Sequence, residues 1–177
     1  MTTSSLVRWL GGGLLLAGLA AAYYSRQAAA PSTINPFYSA MLNGLLQESV
    51  PFVSVAQLRR QPASVLLDTR PPAEFAVSHL RGAREVGYGD FSLAKVQDLP
   101  KNAPIVVYCS VGARSEKIGA RLQQAGYTNV RNLYGGIFEW VNEGQPIVTG
   151  YDQPTTRVHP YSPAWGIWLQ RGQKAYR

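Results

Sequence analysis

The chain has very little cysteine and histidine, which limits the chemistry that it can perform. Its 177 residues include one cysteine, Cys109, so an internal disulfide and a multi-cysteine metal site are both excluded. The two histidines, His79 and His159, lie in unrelated segments and are too few for a transition-metal centre. We therefore expect neither a metal ion nor another cofactor.

Acidic residues are also scarce, with 10 Asp and Glu against 17 Lys and Arg and a formal net charge of +7. A basic chain raises the question of nucleic-acid binding. Residues 51–148, however, carry eleven basic and eight acidic residues, a net charge of +3, and no basic cluster. Without a basic patch there is no electrostatic footprint for a nucleic acid, and we expect no such partner.

No acidic residue precedes Glu48, and residues 9–24 form an uncharged, largely apolar run between Arg8 and Arg26. A helix over this run would be roughly 24 Å long, slightly short of a bilayer core of about 30 Å, but flanking basic and aromatic residues can extend its reach. We therefore expect residues 1–30 to be a single-pass membrane anchor that leaves the rest of the chain in an aqueous compartment. Two alternatives stay open: a signal cleaved after residues 28–30, giving a secreted or periplasmic protein, and a helix of a soluble core.

Two further segments flank a central domain of residues 50–148. Residues 31–49 are expected to be a linker with a short amphipathic helix that begins at Asn35 and Pro36. The apolar residues of that helix at helical spacing are Phe37, Met41, Leu42 and Leu45. Residues 149–177 form an extension rich in aromatic and basic side chains, which either wraps the domain or contacts a membrane interface.

Strand and helix patterns alternate within residues 50–148. Short apolar runs at 64–68, 104–108 and 129–132 predict buried strands, with helical segments between them. This alternation predicts an α/β fold, an open parallel sheet with helices on both faces. Asp68 and Cys109 both fall where a strand ends, so we expect them at the same edge of the sheet.

Cys109 lies between the strand 104–108 and a helix predicted over 115–125. Backbone N–H groups and the positive end of the helix dipole converge at such a position, which lowers a thiol pKa and makes the thiolate the resting nucleophile. Arg114 adds a fixed cation, which either pairs with an anionic substrate or supports the loop through Asp68 or Glu74. A buried structural cysteine is the alternative.

The loop Cys109-Ser-Val-Gly-Ala-Arg-Ser115 resembles the active loop of rhodaneses, a family of sulfurtransferases. Residues 67–83 are similar to an upstream signature of the family, and residues 125–140 to a downstream one. The resemblance implies a complete rhodanese domain over residues 50–148. Two residues depart from the pattern: Ser110 stands where many thiosulfate-using members carry Arg, and Ser78 stands where Gly usually precedes the histidine.

The resemblance implies a sulfurtransferase that moves a sulfane sulfur from a small, thiosulfate-like donor to a thiophilic acceptor through a Cys109 persulfide. The acceptor would be a thiol or cyanide, with a protein acceptor as a further option. Asp68 and Arg70 would organise the site. The loop residues that would bind the donor are Ser110, Val111, Gly112, Ala113 and Arg114.

Two other functions stay open. One is a membrane-tethered rhodanese-like module that binds or carries sulfur with little turnover. The other is a phosphatase or arsenate reductase, since related folds hold phosphate in a loop between Cys and Arg. Those enzymes place five residues between Cys and Arg, whereas four lie between Cys109 and Arg114 here.

Overall fold

The computed structural model of the chain describes residues 33–61 and 63–176. The expected membrane anchor or signal segment, residues 1–30, lies outside the described residues. Within the described ranges, no helix combines the length and the apolar character needed to cross a membrane.

A five-stranded parallel sheet forms the centre of the described chain, with strand order β1-β5-β4-β2-β3. All four residues of β4 are buried, as expected for a central strand covered on both faces. The predicted parallel α/β architecture is confirmed. The strands are β1 (Phe52–Val53), β2 (Val65–Asp68), β3 (Arg84–Glu85), β4 (Ile105–Tyr108) and β5 (Val130–Leu133).

Within residues 33–61 and 63–176, five helices and two 3-10 turns accompany the strands. The helix that follows β4 begins at Ala113, two residues earlier than predicted, because Gly112 takes a left-handed conformation and starts it. The helices are α1 (Pro36–Leu45), α2 (Val55–Arg59), α3 (Pro72–Val77), α4 (Ala113–Gln124) and α5 (Gly136–Asn142). The 3-10 turns are Leu93–Val96 and Trp165–Trp168.

A hydrophobic core lies between the sheet and α4. Val107 of β4 and Leu67 of β2 are fully buried beside Ile118 and Leu122 of α4. Burying an aliphatic side chain of this size contributes about 1.5–3 kcal/mol, so this layer fixes the position of α4 relative to the end of β4. The loop between the two elements therefore rests on a rigid base.

Helix α1 forms as predicted and buries Leu42 of its expected apolar face, but Tyr38 takes the place of Phe37 in the buried set. Tyr38 and Leu42 are fully buried, whereas Phe37 is 78% exposed. The Tyr38 hydroxyl donates to the Gly135 carbonyl at 2.8 Å, and this bond turns Tyr38 rather than Phe37 towards the domain. The backbone that follows α1 is also attached, since the N–H of Gln47 donates to the Glu116 carboxylate at 3.0 Å.

The C-terminal extension lies on the domain, in agreement with the first of its two expected arrangements. The strand β6 (Ile147–Thr149) leads into the extension, whose strands are β7 (Gln153–Thr155), β8 (Arg157–Val158) and β9 (Gln173–Lys174). The Asn142 side chain at the end of α5 donates to the Trp168 carbonyl at 2.9 Å and accepts from the Gln170 N–H at 2.8 Å. The Trp168 ring stacks on Tyr38 with centroids 5.5 Å apart, so the extension and α1 also contact each other.

Candidate functional site

Cys109 heads the loop between β4 and α4, and the loop curves back towards its sulfur. The Gly112 N–H donates to the Cys109 Sγ at 3.1 Å. Gly112 has φ of +109°, a conformation that glycine adopts without a Cβ clash. Gly112 therefore places its backbone N–H within hydrogen-bond distance of the sulfur.

The surroundings of Cys109 favour the thiolate. Burial raises the pKa of the thiol, but the charge of Arg114 and hydrogen bonds from Ser115 and Gly112 outweigh it, and the net pKa lies below the usual value. The residue is only 1% exposed. A thiol with a lowered pKa is ionised at a lower pH than free cysteine, and the thiolate is the form that attacks sulfur.

The first turn of helix α5 is hydrogen-bonded to the start of the Cys109 loop. The N–H groups of Ile137 and Phe138 donate to the carbonyls of Cys109 and Ser110 at 2.9 and 3.1 Å. Gly136 has φ of +58°, and a Cβ there would lie 2.6 Å from the Ser110 carbonyl oxygen. The first turn of α5 and the loop therefore touch backbone to backbone, and only glycine permits this approach.

Arg114 is held by a buried carboxylate. Its guanidinium donates to both oxygens of Glu74 at 2.8 and 2.9 Å, and to the Ser110 hydroxyl at 2.9 Å. Burial raises the Glu74 pKa, but the hydrogen bonds and charge of Arg114 overcome it, so the net pKa is lowered and the carboxylate stays ionised. Of the two carboxylates considered as partners of Arg114, the structure selects Glu74.

Asp68 and Arg70 form a separate, fully buried ion pair at the end of β2. The Arg70 Nη2 lies 2.6 Å from the Asp68 Oδ2 and also donates to the Ser78 carbonyl at 2.6 Å. Asp68 pairs in register with Tyr108, the residue before Cys109. The pair thus lies at the same sheet edge as Cys109 and fixes the turn around Ser78. Neither Asp68 nor Arg70 lines the cavity above the Cys109 sulfur.

A partly open cavity of about 150 Å³ lies above Cys109. Four of the five predicted loop residues line it, and the fifth, Gly112, contributes its N–H to the sulfur. Whether these residues bind a substrate stays a prediction. The lining residues are Leu45, Cys109, Ser110, Val111, Ala113, Arg114, Tyr161 and Trp165.

Three lining residues were missed by the sequence reasoning as members of the site. Leu45 belongs to α1, whereas Tyr161 and Trp165 belong to the C-terminal extension. The sequence identified an amphipathic helix and an aromatic extension, but no local pattern indicates which of their side chains reach Cys109. Within residues 33–61 and 63–176, no group of three or more His, Cys, Asp or Glu side chains is placed to hold a metal ion.

Comparison with known proteins gives one matching family model, that of the rhodanese-like domain, over residues 53–143. The chain is similar to a sulfurtransferase of Allochromatium vinosum, with 39% identity over 84 residues, which are 48% of this chain and 78% of that protein. It is also similar to a thiosulfate sulfurtransferase of Actinobacillus succinogenes, with 34% identity over 91 residues, which are 50% of this chain and 78% of that protein.

Among solved structures, the crystal structure of a rhodanese-related protein from Thermoplasma volcanium superimposes with a TM-score of 0.51 at 27% identity. The superposition covers 56% of this chain and 99% of that one. The family model ends at residue 143, so Tyr161 and Trp165 lie beyond it, and Leu45 lies before it.

Proposed function

Because this chain belongs to the rhodanese-like domain family, we propose that it is a sulfurtransferase that carries a sulfane sulfur on Cys109 as a persulfide. The observation that carries the proposal is the position of the Cys109 thiol. Its pKa is lowered by Arg114, Ser115 and the Gly112 N–H, and its sulfur lies at the floor of a cavity. The similarity to a sulfurtransferase and to a thiosulfate sulfurtransferase supports the same reaction class.

In the first step the Cys109 thiolate attacks the outer sulfur of the donor. A new S–S bond forms to Cys109 while the S–S bond of the donor breaks, and the electron pair leaves with the remainder of the donor, sulfite in the case of thiosulfate. In the second step a thiol or cyanide takes the outer sulfur of the persulfide, and the Cys109 thiolate is restored. A protein thiol is an acceptor of the same chemical kind.

The loop supplies the stabilisation that this covalent intermediate needs. The Gly112 N–H already donates to the sulfur, and the N-terminal end of α4 places further positive potential beside the thiolate and the persulfide anion. Arg114 adds a cation, which Glu74 keeps in place. Asp68 and Arg70 contribute indirectly: their ion pair fixes the end of β2, which is paired with the strand that precedes Cys109.

The loop does not favour phosphoryl chemistry. Four residues lie between Cys109 and Arg114, one fewer than phosphatase loops of this kind use. The Arg114 guanidinium donates to both Glu74 oxygens, so these donors are already used and do not face a tetrahedral oxyanion. A phosphatase or arsenate reductase would need one more residue in the loop and an arginine whose donors face the oxyanion.

The proposal predicts a sulfur adduct on Cys109. Treatment of the full-length protein with thiosulfate, benzenethiosulfonate or polysulfide should raise its intact mass by about 32 Da, one sulfur atom. The added mass should map to the peptide that contains Cys109, and cyanide should remove it. Absence of the adduct with all three donors would contradict the proposal, and an adduct that forms without catalytic turnover would favour the sulfur-carrier alternative.

We also propose that residues 9–24 hold the protein at a membrane, with the rhodanese-like domain in water. The support is the sequence itself: an uncharged apolar run between Arg8 and Arg26. The full-length protein should stay in the membrane fraction through a carbonate or high-salt wash, because apolar burial is not screened by ions. A soluble mature chain that begins at Pro31 would instead establish a cleaved signal.

A further inference from the structure

Three of the eight residues that line the cavity above Cys109 lie outside the matched family segment, and together they form one wall of the cavity. Leu45 comes from α1, and Tyr161 and Trp165 come from the C-terminal extension. We propose that Tyr161 and Trp165, together with Leu45, determine the donor specificity of the site. They admit a sulfane sulfur donor that carries an apolar group and no more than one negative charge. This inference rests on the proposed sulfurtransferase activity.

This wall is attached to the domain at several points. The Arg114 guanidinium carbon lies 4.8 Å from the centroid of the Tyr161 ring, so the ring packs over the last residue of the active loop. Beyond Trp165, the extension is tied to α5 by the Asn142 side chain and to α1 by the stacking of Trp168 on Tyr38. The segments that carry Tyr161, Trp165 and Leu45 are therefore packed on the domain and keep these side chains at the cavity.

The charges around the cavity disfavour a dianionic donor. Among the described lining residues, Arg114 is the one cation, and both of its terminal nitrogens donate to Glu74. With Cys109 as thiolate, the cluster of Cys109, Arg114 and Glu74 carries a net charge of −1. The Ser110 hydroxyl is also committed, since it donates to Glu74 at 3.1 Å. Thiosulfate would bring two further negative charges to this cluster, whose described cation is already paired with Glu74.

The same lining suits an apolar group. Most of the cavity lining is apolar or aromatic and comes from Leu45, Val111, Ala113, Tyr161 and Trp165. The volume of about 150 Å³ equals that of closed apolar cavities that hold a benzene ring. Aromatic rings pack favourably against each other in offset or edge-on arrangements. A donor whose sulfur is attached to an apolar group can therefore contact the wall while its outer sulfur faces Cys109.

Benzenethiosulfonate is the matching probe. The Cys109 thiolate would attack its outer sulfur, the S–S bond of the donor would break, and benzenesulfinate would leave with the electron pair. The product is the Cys109 persulfide anion, and the total charge of −2 is unchanged. Methanethiosulfonate reacts in the same way with the same charge but carries a methyl group in place of the phenyl ring, and any intrinsic difference in reactivity cancels when the ratio of the two donors is compared between variants and wild type.

We expect the full-length protein to prefer benzenethiosulfonate over methanethiosulfonate by about tenfold in kcat/KM, since the larger group buries more apolar area. Tyr161→Asn and Trp165→Ala should each lower this ratio several-fold. Asparagine suits position 161 because Tyr161 has φ of +65°, which asparagine tolerates better than most residues. Tyr161→Phe retains the ring and should retain the ratio. Tyr151→Ala is the matched control, because Tyr151 is in the same extension and 99% exposed.

The outcomes separate this inference from the proposed function. If both ring-removing variants form the persulfide and keep the wild-type ratio, the wall does not select the donor and the inference is wrong. A wild-type kcat/KM for thiosulfate equal to that for benzenethiosulfonate would likewise overturn it. If none of the donors yields a persulfide on the wild-type protein, the sulfurtransferase proposal itself fails.

Discussion

Replacing Cys109 with serine should lower kcat/KM for sulfur transfer by about 10⁴-fold or more, as expected when the nucleophile of a covalent mechanism is removed. A serine hydroxyl stays protonated at any working pH and cannot form a persulfide. The chain has no second cysteine that could take over the role. The measurement is the rate of thiocyanate formation from cyanide with thiosulfate or benzenethiosulfonate as the donor.

The pH dependence of the wild-type protein provides the control that assigns this loss to the thiolate. Because the Cys109 pKa is lowered, the rate should rise with pH with a midpoint below the ordinary pKa of free cysteine, and level off above that midpoint. The same shift favours the folded state above the pKa of the unfolded thiol, and this stabilisation disappears as the pH falls through the lowered pKa of the folded state. Cys109→Ser should lack that pH-dependent component in urea unfolding. Turnover by the serine variant, or a rate midpoint above the free-cysteine value, would contradict the thiolate mechanism.

The predictable parts of the fold depend on residues that are neighbours in sequence. The β-branched run at 104–108 predicted the central strand because strand patterns are local, and the structure places β4 at Ile105–Tyr108. Ser54 and Gln57, three positions apart in the sequence, form a reciprocal capping pair at the start of α2. The position of Cys109 at a strand end followed from the same local patterns.

Two of the features that the sequence did not predict depend on contacts between distant segments, and a third depends on a local backbone conformation. Glu74 is 40 residues from Arg114 in sequence, and its selection over Asp68 depends on where α3 lies beside the loop. The early start of α4 depends on the positive φ of Gly112, which the apolar spacing of the helix does not reveal. The burial of Tyr38 in place of Phe37 depends on the bond from Tyr38 to Gly135. None of these interactions leaves a periodic pattern in the sequence.

Gly136 is the residue through which the loop depends on α5. Replacing it with alanine should destabilise the protein by about 4–5 kcal/mol. Of this loss, about 1–2 kcal/mol come from the left-handed backbone conformation, and about 3 kcal/mol come from the collision of the new Cβ with the carbonyls of Cys109 and Ser110. To relieve the collision the loop must move by a fraction of an ångström or more. A displacement of about 1 Å at a reacting group costs on the order of 100-fold in rate.

Gly150 offers a matched control for this prediction. It has φ of +50°, close to the +58° of Gly136, but a Cβ there would meet nothing within 4 Å. Gly150→Ala should therefore show the backbone cost alone, about 1–2 kcal/mol, and leave sulfur transfer unchanged. Urea unfolding and thiocyanate formation measure the two quantities on the same samples. Equal destabilisation by the two substitutions, or full activity in Gly136→Ala, would show that the loop tolerates a looser contact with α5. In that case the backbone-to-backbone approach would not set the geometry of Cys109.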